Sequence, residues 1–262
     1  MIETPPLQKK HDRLTAFLKA FGLRAVASAD APGSNSANLF VIGDGDGEGP
    51  THIFFRVLGG PLQRSGLAIL AAAKIDFGGA ANPLVGALPE ELVFSLEEQP
   101  QMRGLADILV AEVENSRCGG GTVQDRICEI IVVLAVRRAI DQGTVNAGLL
   151  AGLAHPTLHP CLVAVHDDPA RQWRTDVLAR LAGMSRSHFV TLFTNVVGMT
   201  PTAYLTAWRL ALGRAALEAG SSVKTAAALV GFGSAAAFSR AFSRKYGYPP
   251  VGAKRTAAPR PA

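Results

Sequence analysis

The sequence predicts an α+β chain: a small β domain with packed helices, followed by an all-α domain of two helix-turn-helix motifs joined by a linker helix. Three observations predict it. Short β-prone runs broken by Gly, Pro and Asp occupy the chain up to about residue 98. After Pro100 apolar residues recur at helical spacing. In the last third, one set of residues recurs at a displacement of 48 or 49 positions. With 262 residues, 48% hydrophobic and 18% charged, the chain has a globular composition and room for two modest domains. Aromatics are only 6%, so the core rests on Ala, Leu, Val and Ile.

Residues 9–22 place Leu14, Phe17, Leu18 and Phe21 on one face of a short amphipathic helix. The β-prone runs are Leu39–Ile42, His52–Leu58, Leu67–Leu70, Lys74–Phe77 and Leu92–Ser95, with the Gly- and Asp-rich Gly43–Pro50 as a turn. Several short strands of this kind suggest a small sandwich or barrel. Residues 101–115 then set Met102, Leu105, Ile108, Leu109 and Val113 on one helical face. Residues 122–141 carry a broader stripe of Val123, Ile127, Ile130, Ile131, Leu134 and Val136–Ile140, wide enough for both core and interface. Arg137 and Arg138 lie late in that helix, where its dipole favours cations. Cys118-Gly119-Gly120-Gly121 separates the two helices.

From about Arg171 the pattern is helical and duplicated. Phe189, Phe193, Gly198, Pro201 and Ser185 recur 49 positions later as Phe238, Phe242, Gly247, Pro250 and Ser234. Ala179 and Gly183 recur 48 positions later as Ala227 and Gly231, so the second copy has one residue added in its turn. Each copy reads helix, Gly-containing turn, helix, with Ser185 and Ser234 as N-caps. On the second helix of the first copy, about 185–197, Phe189, Leu192, Phe193 and Val196 line the inner face. Arg186, Ser187, Val190, Thr191 and Thr194 are free of core duty, as a helix entering a DNA major groove requires. On its counterpart, about 234–246, Ala235, Ala236, Ser239 and Arg240 are the equivalent outward set, with Arg240 placed to contact guanine. Residues 202–219 form the linker, with Tyr204, Leu205, Trp208, Leu212 and Leu217 on its apolar face. A helix of roughly 16 residues there spans ~24 Å, suited to hold two recognition helices about one DNA turn apart. Ser185, Ser234, Arg209, Arg244 and Lys245, with Lys254 and Arg255, are candidate phosphate contacts.

The charge follows the same division. Residues 1–168 hold 13 Lys+Arg against 19 Asp+Glu, a balance of −6; residues 169–262 hold 13 against only Asp176 and Glu218, a balance of +11. One end is thus suited to a polyanion. No apolar stretch approaches the ~20 residues that span a bilayer. Residues 1–20 are too charged for a signal peptide, and Cys118, Cys128 and Cys161 read as reduced thiols, so a cytoplasmic location is expected. No phosphate loop, nucleophile elbow or carboxylate pair stands out, so no catalytic residue and no enzyme activity is expected.

The duplicated segment resembles the AraC/XylS family of bacterial transcription regulators over roughly 158–255. Residues 182–189, Ala-Gly-Met-Ser-Arg-Ser-His-Phe, are similar to its first recognition element. Gly198, Pro201, Tyr204-Leu205 and Trp208-Arg209-Leu210 are similar to its linker helix, and Val230-Gly231-Phe232 through Phe238-Ser239-Arg240-Ala241-Phe242, Gly247 and Pro250 to its second element. Residues 117–121, 149–153 and 166–170 resemble, more faintly, a branch with a small cupin-like sensor domain followed by helices. The resemblance implies a cupin-like sensor and dimerisation domain at 1–156 and a double helix-turn-helix domain at 157–262. It also implies double-stranded DNA as partner, a small-molecule effector, RNA polymerase contact and a homodimer. Lys224 and Ala226 depart from the family pattern, Ala226 by losing apolar burial, and Ala235 and Ala236 offer no hydrogen bonds to bases. His52 is the one histidine in the strands, with Asp44, Asp46 and Glu48 in a Gly-rich loop, so neither metal nor cofactor is expected. His155, His159 and His166, with Cys161 among them, read as linker residues. Two other readings are a redox-responsive regulator acting through Cys118 and a cupin-type enzyme with a basic helical appendage.

Overall fold

The computed structural model describes residues 14, 18, 21–27, 37–44, 49–60, 67–77, 82–115, 117–142 and 148–253. The helix expected over 9–22 is represented there by Leu14, Leu18, Phe21 and Gly22 alone; Asp46, Glu48, Lys254 and Arg255 lie outside the described residues. The chain divides into two compact units, Phe21–Ala151 and Gly152–Ala262, the latter grouped with residues 1–20. No helix among the described residues is long and apolar enough to cross a membrane.

The first unit is built on a five-stranded antiparallel sheet: β1 (Arg24–Ala27), β2 (Leu39–Gly43), β3 (Pro50–Arg56), β4 (Ala68–Asp76) and β5 (Glu91–Ser95), in the order β1-β4-β2-β3-β5. Every residue of central β2 is buried. Its alternation sends Leu39 and Val41 to one face beside Ile53, Phe55 and Ala73, and Phe40 and Ile42 to the other beside Phe54. A bulge at Ile42/Gly43 shifts its pairing with β3, and another at Val41/Ile42 its pairing with β4.

Three features differ from the sequence expectation. The expected runs 67–70 and 74–77 are one strand, β4, because Ala71, Ala72 and Ala73 pair with Val41, Phe40 and Leu39; tertiary pairing overrides the weak β preference of Ala. Strand β1 was not expected. It pairs β4 on one side, and the Ala27 amide donates to Asp125 Oδ1 at 2.7 Å. No pairing joins β1 to β5 among the described residues, so the sheet is open rather than closed as a barrel. Asn38, buried, donates to the Ile75 carbonyl and accepts from the Ile75 amide, tying the approach to β2 onto β4.

Helices α1 (Pro100–Asn115) and α2 (Gly120–Asp141) pack on each other and contact the sheet. Their buried faces are rotated from those expected. Met102, Ala106, Leu109 and Val110 are buried on α1, whereas Ile108 is 52% exposed. Ile127, Cys128, Ile131, Val132, Ala135, Val136, Ala139 and Ile140 are buried on α2, whereas Ile130 is 48% exposed. Small Ala and Cys side chains take the close-packed positions, a choice that counting large apolar residues does not register.

Helix α3 (Leu149–Ala154) leads into the second unit. That unit contains α4 (His159–Asp167), α5 (Thr175–Leu181), α6 (Arg186–Val197), α7 (Pro201–Glu218), α8 (Val223–Leu229), α9 (Ala235–Tyr246) and α10 (Pro250–Ala253). Among its described residues it has no strand.

Candidate nucleic-acid interface

Each of the two motifs is a short helix, a turn and a longer helix: α5 and α6 in the first, α8 and α9 in the second. The short helices begin 48 positions apart and the long ones 49. The turns explain the difference. Four residues, Ala182–Ser185, separate α5 from α6, and five, Val230–Ser234, separate α8 from α9. In each turn a glycine takes a left-handed conformation, Gly183 at φ +67° and Gly231 at φ +76°. The next amide then donates back to the small residue of the preceding helix: Met184 to the Ala179 carbonyl and Phe232 to the Ala227 carbonyl, both at 2.9 Å. A side chain at that φ is strained, which is why Gly sits there in both copies.

The long helices start on matching caps. Ser185 Oγ accepts from the His188 amide at 3.4 Å and Ser234 Oγ from the Ala237 amide at 3.1 Å. They end on Gly198 and Gly247, and Pro201 and Pro250 open the next helices. Phe189 and Phe193 are buried in the first motif and Phe238 and Phe242 in the second. In the second, Leu210, Leu217, Ala226, Ala227 and Val230 close the core around the two phenylalanines, with Ala226 fully buried. Gly213 on α7 leaves room for Phe238: a Cβ there would meet its ring at 2.5 Å.

The sequence-assigned outward residues fall as follows. Arg186, Ser187 and Thr191 on α6 and Ala236 and Arg240 on α9 are exposed; Val190, Thr194 and Ser239 are half-buried. Thr194 donates its hydroxyl to the Val190 carbonyl at 2.7 Å, so that oxygen keeps acceptor capacity only. Ala235 is half-buried against the second core and is the member of the outward set that turns inward. His188 is exposed as well.

The electrostatics favour an anion on these faces. Asp176 is taken by Arg174 at 2.9 Å and Arg180 at 3.5 Å, and Glu218 by Arg214 at 2.8 Å. The Arg174 hydrogen bond, with the charges of Arg174 and Arg180, holds the Asp176 carboxyl below its ordinary range. These are the two carboxylates of residues 169–262. Arg186, Arg240 and Arg244 make no ion pair among the described residues.

The sequence-assigned phosphate set is less uniform. Arg244 is exposed. Lys245 Nζ donates to the Ala207 carbonyl on α7 at 3.2 Å, and burial lowers its pKa. Arg209 is turned into the unit: its Nε donates to the Pro169 carbonyl at 2.7 Å and its Nη2 to the Arg171 carbonyl at 2.8 Å.

His166 is not a linker residue. It is 4% exposed, its Nε2 lies 2.5 Å from Tyr204 Oη, and its ring centroid is 4.4 Å from that of Trp208. Burial pushes its pKa down to about 3, so it stays neutral. Cys161 is buried and donates to the Leu178 carbonyl; burial raises its thiol to about 11 and that of Cys128 to about 12. Cys118 is exposed. In the first unit, His52 Nδ1 lies 3.1 Å from Thr51 Oγ1, and Thr51 Oγ1 donates to Asp44 at 3.0 Å. Among the described residues no group of three His, Cys, Asp or Glu side chains is placed to hold a metal ion.

Two stretches of the chain match known families. Residues 24–141 match a cupin family and residues 178–255 a helix-turn-helix domain family. An uncharacterized HTH-type transcriptional regulator of Haemophilus influenzae is 30% identical over 164 residues, 62% of this chain and 55% of the relative. The HTH-type transcriptional regulator AlkR of Acinetobacter baylyi is 31% identical over 194 residues, 72% of this chain and 63% of that protein. The match therefore spans less than two thirds of either relative. A solved AraC-type DNA-binding domain protein from Chromobacterium violaceum is 24% identical, covering 39% of this chain and 93% of its own, with a TM-score of 0.38. The chain thus joins a stretch that matches a cupin family to one that matches a helix-turn-helix domain family, and it is similar to HTH-type transcriptional regulators.

Proposed function

We propose that this chain is a sequence-specific DNA-binding transcription regulator that inserts α6 and α9 into successive major grooves. One observation carries the reading. Two helices built on the same capped, Phe-anchored frame each present a face without core duty, in a segment whose carboxylates are both consumed by neighbouring arginines. Arg186, Ser187, Val190, Thr191 and Thr194 read bases from α6; Ala236, Ser239 and Arg240 read them from α9, with Ala235 contributing at most its methyl edge. Ser185, Ser234, Arg244 and Lys245 meet phosphates. The cupin domain takes a small-molecule effector and, with α1 and α2, holds a homodimer. An open cavity of about 480 Å³ there, with Met102 and Leu134 on its wall and Gln101, Arg137, Arg138 and Asp141 beside them, suits a small effector with an apolar body and polar or charged groups. The bound chain contacts RNA polymerase, acts in the cytoplasm and catalyses no reaction.

Footprinting of the full chain on fragments of its own genome tests this. The expected result is protection of two segments about 10 base pairs apart on one face of the duplex, with affinity falling steeply as salt rises. No protected site, or a flat salt response, overturns it.

A further inference from the structure

The stretch between α4 and α5 is closed on itself. Trp173 Nε1 donates to the Asp168 carbonyl at 2.7 Å, and the Arg171 amide donates to Asp168 Oδ1 at 3.2 Å. The Arg171 guanidinium lies 4.4 Å from the centroid of the Trp173 ring. Two distant parts of the unit hold this closed stretch. From the linker helix α7, Arg209 donates to the carbonyls of Pro169 and Arg171, with |i−j| of 40 and 38. From the second motif, Gly231 lies against Ala170 so closely that a Cβ there would come within 2.5 Å of its carbonyl oxygen and 2.6 Å of its Cα. The stretch then runs directly into α5, the first helix of the first motif. A half-buried guanidinium with two neutral acceptors, and no carboxylate partner among the described residues, gives up hydration for geometry.

We propose that Arg209 is a positioning residue: through the Asp168–Arg171 strap it ties the start of the first motif to the turn of the second, and so sets which spacing of DNA half-sites the chain accepts. The inference rests on the DNA-binding reading above for its consequence, but the strap itself is testable without DNA. Two reading helices held at one separation bind two half-sites as a linked pair, and that linkage is lost when geometry forbids both contacts at once.

The test uses the full chain and its footprinted operator, with one base pair inserted between the half-sites. The wild-type chain should lose at least about tenfold in affinity. Arg209→Ala should keep its affinity for a single half-site, lose about tenfold on the native spacing, and show an insertion penalty below about threefold. Arg209→Lys should behave like Arg209→Ala, because one ammonium does not reproduce the fork across two carbonyls. An unchanged insertion penalty, or full rescue by lysine, overturns the proposal. So does a uniform loss on single half-sites with the salt slope reduced by about one, which marks a phosphate contact. In the free protein, Arg209→Ala should speed amide exchange about tenfold or more in both 168–174 and 230–233; acceleration confined to 168–174 overturns the strap. If Arg209→Ala loses helix content, Arg209→Gln, which keeps one donor, takes its place in both measurements. A wild-type chain that binds no DNA defeats the reading of function, while exchange still decides the strap.

Discussion

The two helix-turn-helix motifs share their main backbone and core determinants. Gly183 and Gly231 turn the chain, Ser185 and Ser234 cap, Phe189 and Phe238 anchor, and Gly198 and Gly247 end the long helices. They differ wherever solvent is at stake. Helix α6 exposes Arg186, Ser187, His188 and Thr191; α9 exposes Ala236, Arg240, Arg244 and Lys245. The first face is mostly neutral and hydrogen-bonding, the second small and cationic. The cores differ in one respect as well. The first motif packs Phe193 on Tyr204, which joins buried His166, while the second packs Phe242 on half-buried Tyr246 and Tyr248 with no histidine in its cluster.

Acid should separate the two motifs by the widest margin. His166 ordinarily titrates near 6.5 and folding lowers that to about 3. Below pH 6.5 the unfolded chain takes up a proton that the folded chain refuses. Stability is therefore unaffected above that pH and falls by about 1.4 kcal/mol per unit as pH drops from 6.5 toward 3. Urea unfolding between pH 7 and 4, with amide exchange to locate the opening, should show the first motif loosening first. His166→Leu should flatten the slope, and a slope that persists in that variant breaks the assignment.

The turns give the next largest contrast. Gly231→Ala adds a Cβ against the Ala170 backbone as well as a strained φ, and should cost more than about 3 kcal/mol. Gly183→Ala meets nothing within 4 Å and should cost only the strain, about 1–2 kcal/mol. Equal losses in thermal or urea unfolding would mean that the Ala170 contact has no weight.

On the outward faces, Arg240→Ala should reduce discrimination at one base pair of the second half-site by about 1–3 kcal/mol, and Thr191→Ala should relax the first by less. Neither should change helix content. Affinities for a panel of singly mutated operators check this, and equal base preference in both half-sites would remove the contrast between the faces. The smallest effect belongs to the caps: Ser185→Ala and Ser234→Ala should each cost about 1 kcal/mol. The shorter hydrogen bond makes Ser234 the costlier loss.

The motifs were legible in the sequence because their determinants are local. A glycine with positive φ, a cap three residues before the amide it serves, and phenylalanines four apart all act within a turn or two of helix. The one-residue surplus was readable from the change in displacement from 48 to 49, and it lies in the five-residue turn. Residues whose partners are distant leave no local signature. His166 meets Tyr204 and Arg209 meets Pro169, at |i−j| of 38 and 40, and neither pair has a periodic signature. In the sheet, Ala71–Ala73 gave no β signal of their own and became strand through their partners on β2. Strand β1, four residues at an edge, depends on β4 and on Asp125.

The inequality of the two exposed faces has a further consequence. They are written into one polypeptide in a set order, Thr191 and its neighbours before Arg240, so a duplex that satisfies both cannot be a mirror of itself. A symmetric pair of identical helices sits equally well either way round; this tandem pair does not. Turning the operator end for end would present each helix with the other's base pairs. On the proposed reading, each bound copy of the second unit would therefore take a single orientation on its own pair of half-sites.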